Sequence, residues 1–148
     1  MHNKQSSQAL APSFIKLGAC LIYEALVIIA LLLVSSAVFV LIFGDSINGT
    51  KRYWMQLFLF ITVGVYFVSC WQKSGQTLAM QTWHLKLENQ EAHLLSFKVS
   101  IARYVLASVS LMLFGLGFLW ALLDRDRLFL HDRLLKNRII FVPHNVAL

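Results

Sequence analysis

Residues 17 to 43, LGACLIYEALVIIALLLVSSAVFVLIF, form 27 consecutive positions broken by one charge, Glu24. As a helix the run spans about 40 Å, longer than the ~30 Å hydrocarbon core of a bilayer, so it is expected to tilt or to protrude. A secretory signal has a shorter apolar region and would place Glu24 badly, so the run reads as a retained span. Little of the rest can be soluble interior. With 58% of 148 residues apolar, a chain of this length has too little interior to hide its greasy surface from water. The lipid bilayer is the expected solvent.

Gly44-Asp45-Ser46-Ile47-Asn48-Gly49 is turn chemistry, leaving room only for a short connection. A second apolar run follows, opened by Tyr53 and Trp54 and closed by Trp71. Aromatic residues favour the membrane interface, which predicts a span over residues 54 to 71. Gln72 to Thr77 is polar and turn-like. Trp83, Leu85 and Leu87 then alternate with His84, Lys86 and Glu88, a period of two that predicts a half-exposed strand ending in a turn at Asn89-Gln90-Glu91. Arg138 to Val142 is a second strand-like run, stopped by Pro143. A lone strand is unstable, so the two are expected to pair.

The last apolar run, Ile101 to Leu123, carries Arg103 near its start and Gly115-Leu116-Gly117 in its middle. It is either a single span or, with glycine weakening the helix, a broken or re-entrant element. Basic residues help choose. If the run crosses, Lys and Arg divide six to seven between the two sides. If it dips in and returns, they divide eleven to two, a strong bias that puts the N-terminus in the cytoplasm and both strands on that side. Against re-entry, arms of about ten residues are too short to reach the far face. The expected fold is thus an all-α membrane protein: two long transmembrane helices, a third apolar element that is broken, re-entrant or spanning, and a small cytoplasmic strand pair. Residues 1–13 read as a flexible N-terminal tail, 14–142 as a single membrane domain and 143–148 as a C-terminal tail.

The net charge of +6 comes from residues that flank apolar runs, as beside anionic lipid headgroups, so nucleic acid is not an expected partner. Cys20 and Cys70 lie inside apolar runs with no CxxC pair or Cys/His cluster, and they read as small buried hydrophobes. No motif for a nucleophile, a phosphate or a cofactor is present. The chain is not expected to be an enzyme and no cofactor is implied.

Charge inside lipid is the main functional signal. A carboxylate at the depth of Glu24 costs about 2.5–3.5 kcal/mol by insertion scales, so it should face protein or water and have a partner. Lys16, eight residues earlier, returns to the same helix face, and Arg103 is the alternative. Either Glu24 forms an inert ion pair that locks helices together, or it handles a proton or cation. Asp124-Arg125-Asp126-Arg127 reads as a solvated, self-neutralised boundary where an apolar segment leaves the membrane. His131-Asp132-Arg133 follows as a short amphipathic piece, with no further ligands for metal catalysis.

Gly75-Gln76-Thr77 after a second span, Leu85-Lys86-Leu87, the run from Gly115 to Leu122 leading into Asp124, and Leu130-His131-Asp132-Arg133-Leu134 together resemble the RDD family of small bacterial integral membrane proteins. Lys16 with Tyr23-Glu24 resembles that family's first-span signature, an Arg before the helix and a Tyr-Asp inside it. The resemblance covers about residues 12 to 142. Departures are Lys16 for Arg, Glu24 for Asp and Ala79 where Gly is typical. Leu135-Lys136-Asn137 replaces an Ala/Ser-Gly-Thr turn, with Asn137 expected to take the left-handed conformation of that Gly. The resemblance implies a multi-pass protein of the bacterial inner membrane; sodium/proton antiport has been attributed to some members. Two roles therefore stand: cation, proton or small-solute transport by an oligomer through Glu24, tuned by Lys16 or Arg103, and a non-catalytic module that organises a partner membrane protein through its basic face.

Overall fold

A computed structural model describes residues 12–44, 49–113, 115–125 and 128–142, without the side chains of 117, 118 and 121. Its order is α1 (Phe14–Phe43), α2 (Thr50–Lys73), α3 (Leu78–Thr82), β1 (Leu85–Asn89), α4 (Phe97–Met112), α5 (Leu116–Leu123), α6 (Leu130–Leu134) and β2 (Asn137–Phe141). All but Pro12 and Ser13 of the expected N-terminal tail, all of 143–148 with the Pro143 stop, and Asp126-Arg127 lie outside the described residues.

The long helices begin earlier than their apolar runs. Ser13 caps α1, its hydroxyl accepting from the Lys16 amide at 3.4 Å, which satisfies one of the orphan donors of a helix start. Among the described residues α1 and α2 are long and apolar enough to cross a membrane, and only 11% of the apolar window of each is buried. A soluble core helix would be mostly buried. Here Ile22, Leu26, Leu33 and Leu41 stand exposed on α1, a surface suited to lipid and not to water. The chain is a membrane protein.

The third apolar run is broken. Helix α4 ends at Leu113, and Gly115, at φ 72°, starts α5 in the left-handed conformation, which costs glycine little. The α4–α5 pair leaves the end of β1 and comes back through α6 to β2, so both of its ends meet at one sheet. The strands pair antiparallel, Leu85 opposite Phe141 and Leu87 opposite Ile139. Leu85 and Leu87 are 1% and 0% exposed, facing a core that also takes in Trp71, Ala79 and Phe129. Trp83, expected as the first strand residue, instead ends α3.

Two glycines set how closely elements approach. A Cβ on Gly64 would come within 2.9 Å of the Tyr104 ring, so this glycine lets α2 and α4 pack tightly; the Tyr104 hydroxyl donates to the Phe60 carbonyl of α2 at 2.8 Å. Gly75, at φ 70°, has no room for a Cβ beside the Leu87 carbonyl (2.8 Å) and accepts the Leu87 amide at 2.8 Å. It thereby ties the end of α2 to β1. Ala79 is fully buried in α3, so a small residue is needed there even though it is not glycine.

Candidate functional site: a carboxylate cavity beside a buried ion pair

Leu17, Cys20 and Glu24 follow one another at helical spacing along one face of α1. They border a cavity of about 100 Å³ closed on other sides by α2, α3, α4 and the sheet. Glu24 is half-buried at its edge. Its two oxygens take different hydroxyls: Tyr66 of α2 donates to Oε1 at 3.3 Å, and Thr77 donates to Oε2. Both hydroxyls are fixed by the first turn of α3. The Leu78 amide donates to the Tyr66 oxygen at 3.3 Å and the Met80 amide to the Thr77 oxygen at 3.2 Å. Each hydroxyl oxygen accepts one amide proton and gives its own proton to Glu24, which leaves one acceptor site on each oxygen. Helix α3 is five residues long and follows directly on the turn-like Gln72 to Thr77, yet its start organises the carboxylate.

Neither cation proposed from sequence bridges Glu24. The Lys16 ammonium lies 3.5 Å from the centroid of the Phe141 ring, a cation–π contact joining α1 to β2. Arg103 does line the cavity with Glu24, but its fork is directed elsewhere. Nε donates to Asp132 Oδ1 at 2.5 Å and Nη2 to Oδ2 at 3.0 Å, while its guanidinium carbon sits 4.2 Å from the centroid of a Trp71 ring. This is the planar two-point pairing, backed by an aromatic face, for which Arg is suited and Lys is not. Trp71, expected at the membrane interface, is 3% exposed and serves as that face.

The expected solvated boundary is corrected at Asp124, which is only 8% exposed, and Asp132 of the amphipathic piece is 0% exposed. Asp124 does not neutralise itself against Arg125, which is exposed; it accepts from Arg133 and from the Leu128 amide at 3.1 Å, folding the chain between α5 and α6. The reason is topological. Because α4–α5 returns to the sheet, α6 is pressed against α4, and its acid meets Arg103. His131 is 2% exposed and stacks on Phe129. Burial pushes its imidazole down to about 4; Asp132 pulls it back up and Arg103 pushes it down further. Lys136, at φ 56°, takes the left-handed turn position expected of Asn137, which is instead the first residue of β2.

Thr77 and Tyr66 as partners of Glu24, and Asp132 as partner of Arg103, were not legible beforehand. Gly75-Gln76-Thr77 stands out as turn chemistry and as a family-like motif, neither of which names a partner, and Tyr66 carries no local signal. The model of the RDD family matches residues 12–136. The chain belongs to the RDD family. Comparison with curated proteins and with solved structures gives no match. The motif residues of this RDD chain thus have structural places: Gly75 against β1, Thr77 on Glu24, and Asp132 on Arg103.

Proposed function

We propose that this RDD protein passes a proton or small cation across the bacterial inner membrane by way of Glu24, acting as an oligomer and without covalent catalysis. The observation that carries the reading is the setting of that carboxylate. It stands within an apolar span, at the edge of a cavity, approached by two hydroxyls and by no cation within ion-pair distance among the described residues. An inert helix lock is instead supplied by Arg103 and Asp132, which frees Glu24 from that duty. Intramembrane carboxylates facing a cavity are typical of ion and proton pathways. Two spans and a doubled-back element enclose little volume alone, so a pathway would be completed between copies.

Orientation belongs to the same reading. With α4–α5 re-entering, the basic residues concentrate on the side of the sheet, which favours a cytoplasmic N-terminus. The test is flux of protons or small monovalent cations through purified protein in proteoliposomes. Glu24→Gln is expected to abolish flux while insertion and melting are kept; undiminished flux in that variant would overturn the role of Glu24.

A second reading is a non-catalytic module that organises a partner membrane protein. It is favoured by Lys73, Lys98, Arg125 and Lys136, which are exposed near the ends of the elements that meet at the sheet. It predicts no flux from purified protein, and loss of a co-purifying partner when these four are replaced by Gln.

A further inference from the structure

The cavity at Glu24 is small. At about 100 Å³ it has the room of roughly three waters at ~30 Å³ each, and less than the ~150 Å³ cavity that takes benzene. A guest therefore has on the order of four or five heavy atoms.

Charge narrows the guest further. Arg103 directs Nε and Nη2 at Asp132, so those two charges offset one another and the fork is not offered to an anion. When ionised, Glu24 leaves one formal negative charge on the cavity. The complementary guest is a small monocation.

The donor set then separates organic from metal cations. Hard metal cations such as Ca²⁺ and Mg²⁺ gather six or more oxygen ligands. The cavity presents the oxygens of Glu24 and Thr77, while Arg103 and the Trp71 indole offer only donors and the other lining side chains no oxygen, so a metal ion would have to keep most of its ligands as water in a small space. A primary ammonium needs only as many acceptors as it has N–H groups. Its alkyl part can lie on Leu17, Met80 and Ile139, with Phe67 and Phe129 close by to face the cationic end. We propose that the Glu24 cavity binds a small primary alkylammonium ion, in the range of methylammonium to propylammonium. The ammonium sits on Glu24 and Thr77, and the alkyl chain on the apolar wall. This rests on the reading of Glu24 as a cation site; the chemical class of the cation is the addition.

Cys20 lines the same cavity and serves as a native reporter. In a Cys70→Ser background, the purified protein is treated with methyl methanethiosulfonate. Modification of Cys20 is followed by intact mass at constant ionic strength, with methylammonium, propylammonium, tetrabutylammonium, sodium or potassium chloride. Melting curves with the same salts give a second readout that does not depend on thiol reactivity. Propylammonium is expected to slow labelling at least fivefold, saturably, and to raise the melting temperature; tetrabutylammonium and the alkali ions do neither. Glu24→Gln loses both effects, and Glu24→Asp, which keeps the charge, retains part of them. Glu24-dependent effects from sodium or potassium without effects from the ammonium ions would overturn the ammonium class and leave the cation site standing. No effect from any cation in either readout, or effects that persist in Glu24→Gln, would overturn both.

Discussion

Arg103 and Asp132, 29 positions apart in the chain, close a two-point ion pair at 2.5 and 3.0 Å with side chains only 8% and 0% exposed. The pair pins α6 to α4 and so determines where the α4–α5 segment ends. Removing one partner of a buried pair leaves the other charge uncompensated, at a cost of about 3–5 kcal/mol; replacing both with apolar residues of similar volume is often neutral. Asp132→Ala is therefore expected to lower the melting temperature severely or to abolish folded yield. Arg103→Met with Asp132→Leu should recover most of that loss. A double variant as unstable as the sum of the singles would mean that the two residues do not act as a unit.

Much of this architecture is written locally and much of it is not. The 27-residue run, the Gly115 break and the period-two alternation at Leu85 and Leu87 depend on nearest neighbours, and each has its counterpart in an element of the fold. Caps, not apolarity, decide where elements start: Ser13 starts α1 ahead of Leu17, and Thr77, the last residue of a turn-like stretch, starts α3. The partners of Glu24 and Arg103 were hidden for a different reason. Thr77 lies 53 positions from Glu24, and which distant residue arrives at a charge depends on how helices pack. Asp132 belongs to a short amphipathic piece whose sequence names no partner; only the return of the chain to the sheet buries it.

His131 gives the fold a pH dependence whose sign can be worked out. Its imidazole titrates near 6.5 when unfolded and is pushed down to about 4 in the fold, so the folded state favours the neutral ring. The stabilisation is fully present above about pH 6.5 and is lost as pH falls from there toward 4, because the unfolded chain takes up the proton first. At roughly 1.4 kcal/mol per pH unit, the loss is on the order of 3 kcal/mol near pH 4. Melting curves in detergent between pH 7.5 and 4.5 should show this decline. His131→Phe, which preserves a ring against Phe129, should flatten it relative to the parent. An unchanged slope in that variant would assign the acid sensitivity to the carboxylates instead.

Lys16 separates a structural cation from one that tunes the carboxylate. Its ammonium rests on Phe141, so Lys16→Gln should cost about 0.5–2 kcal/mol of stability, the range of cation–π contacts. Phe141→Leu should cost a similar amount, and the two losses should not add. Any Glu24-dependent flux should keep its pH profile in Lys16→Gln. A displaced profile would restore Lys16 as an electrostatic partner of Glu24.

Sidedness tests the proposed re-entry of α4–α5. Because β1 and β2 are in register from Leu85–Phe141 to Asn89–Asn137, the chain just after β1 and the chain just before β2 lie together, and under that proposal they share one face of the membrane while the start of α2 lies on the other. Gln90, Leu134 and Thr50 are all exposed and can be replaced one at a time by Cys in a Cys20→Ser, Cys70→Ser background. A membrane-impermeant maleimide should reach Gln90→Cys and Leu134→Cys from the cytoplasmic side, in inside-out vesicles, and Thr50→Cys from outside intact cells. If Leu134→Cys labels together with Thr50→Cys, α4–α5 crosses the bilayer outright. The strands could then not be neighbours, and the Arg103–Asp132 pair, which depends on α6 lying beside α4, would fall with them.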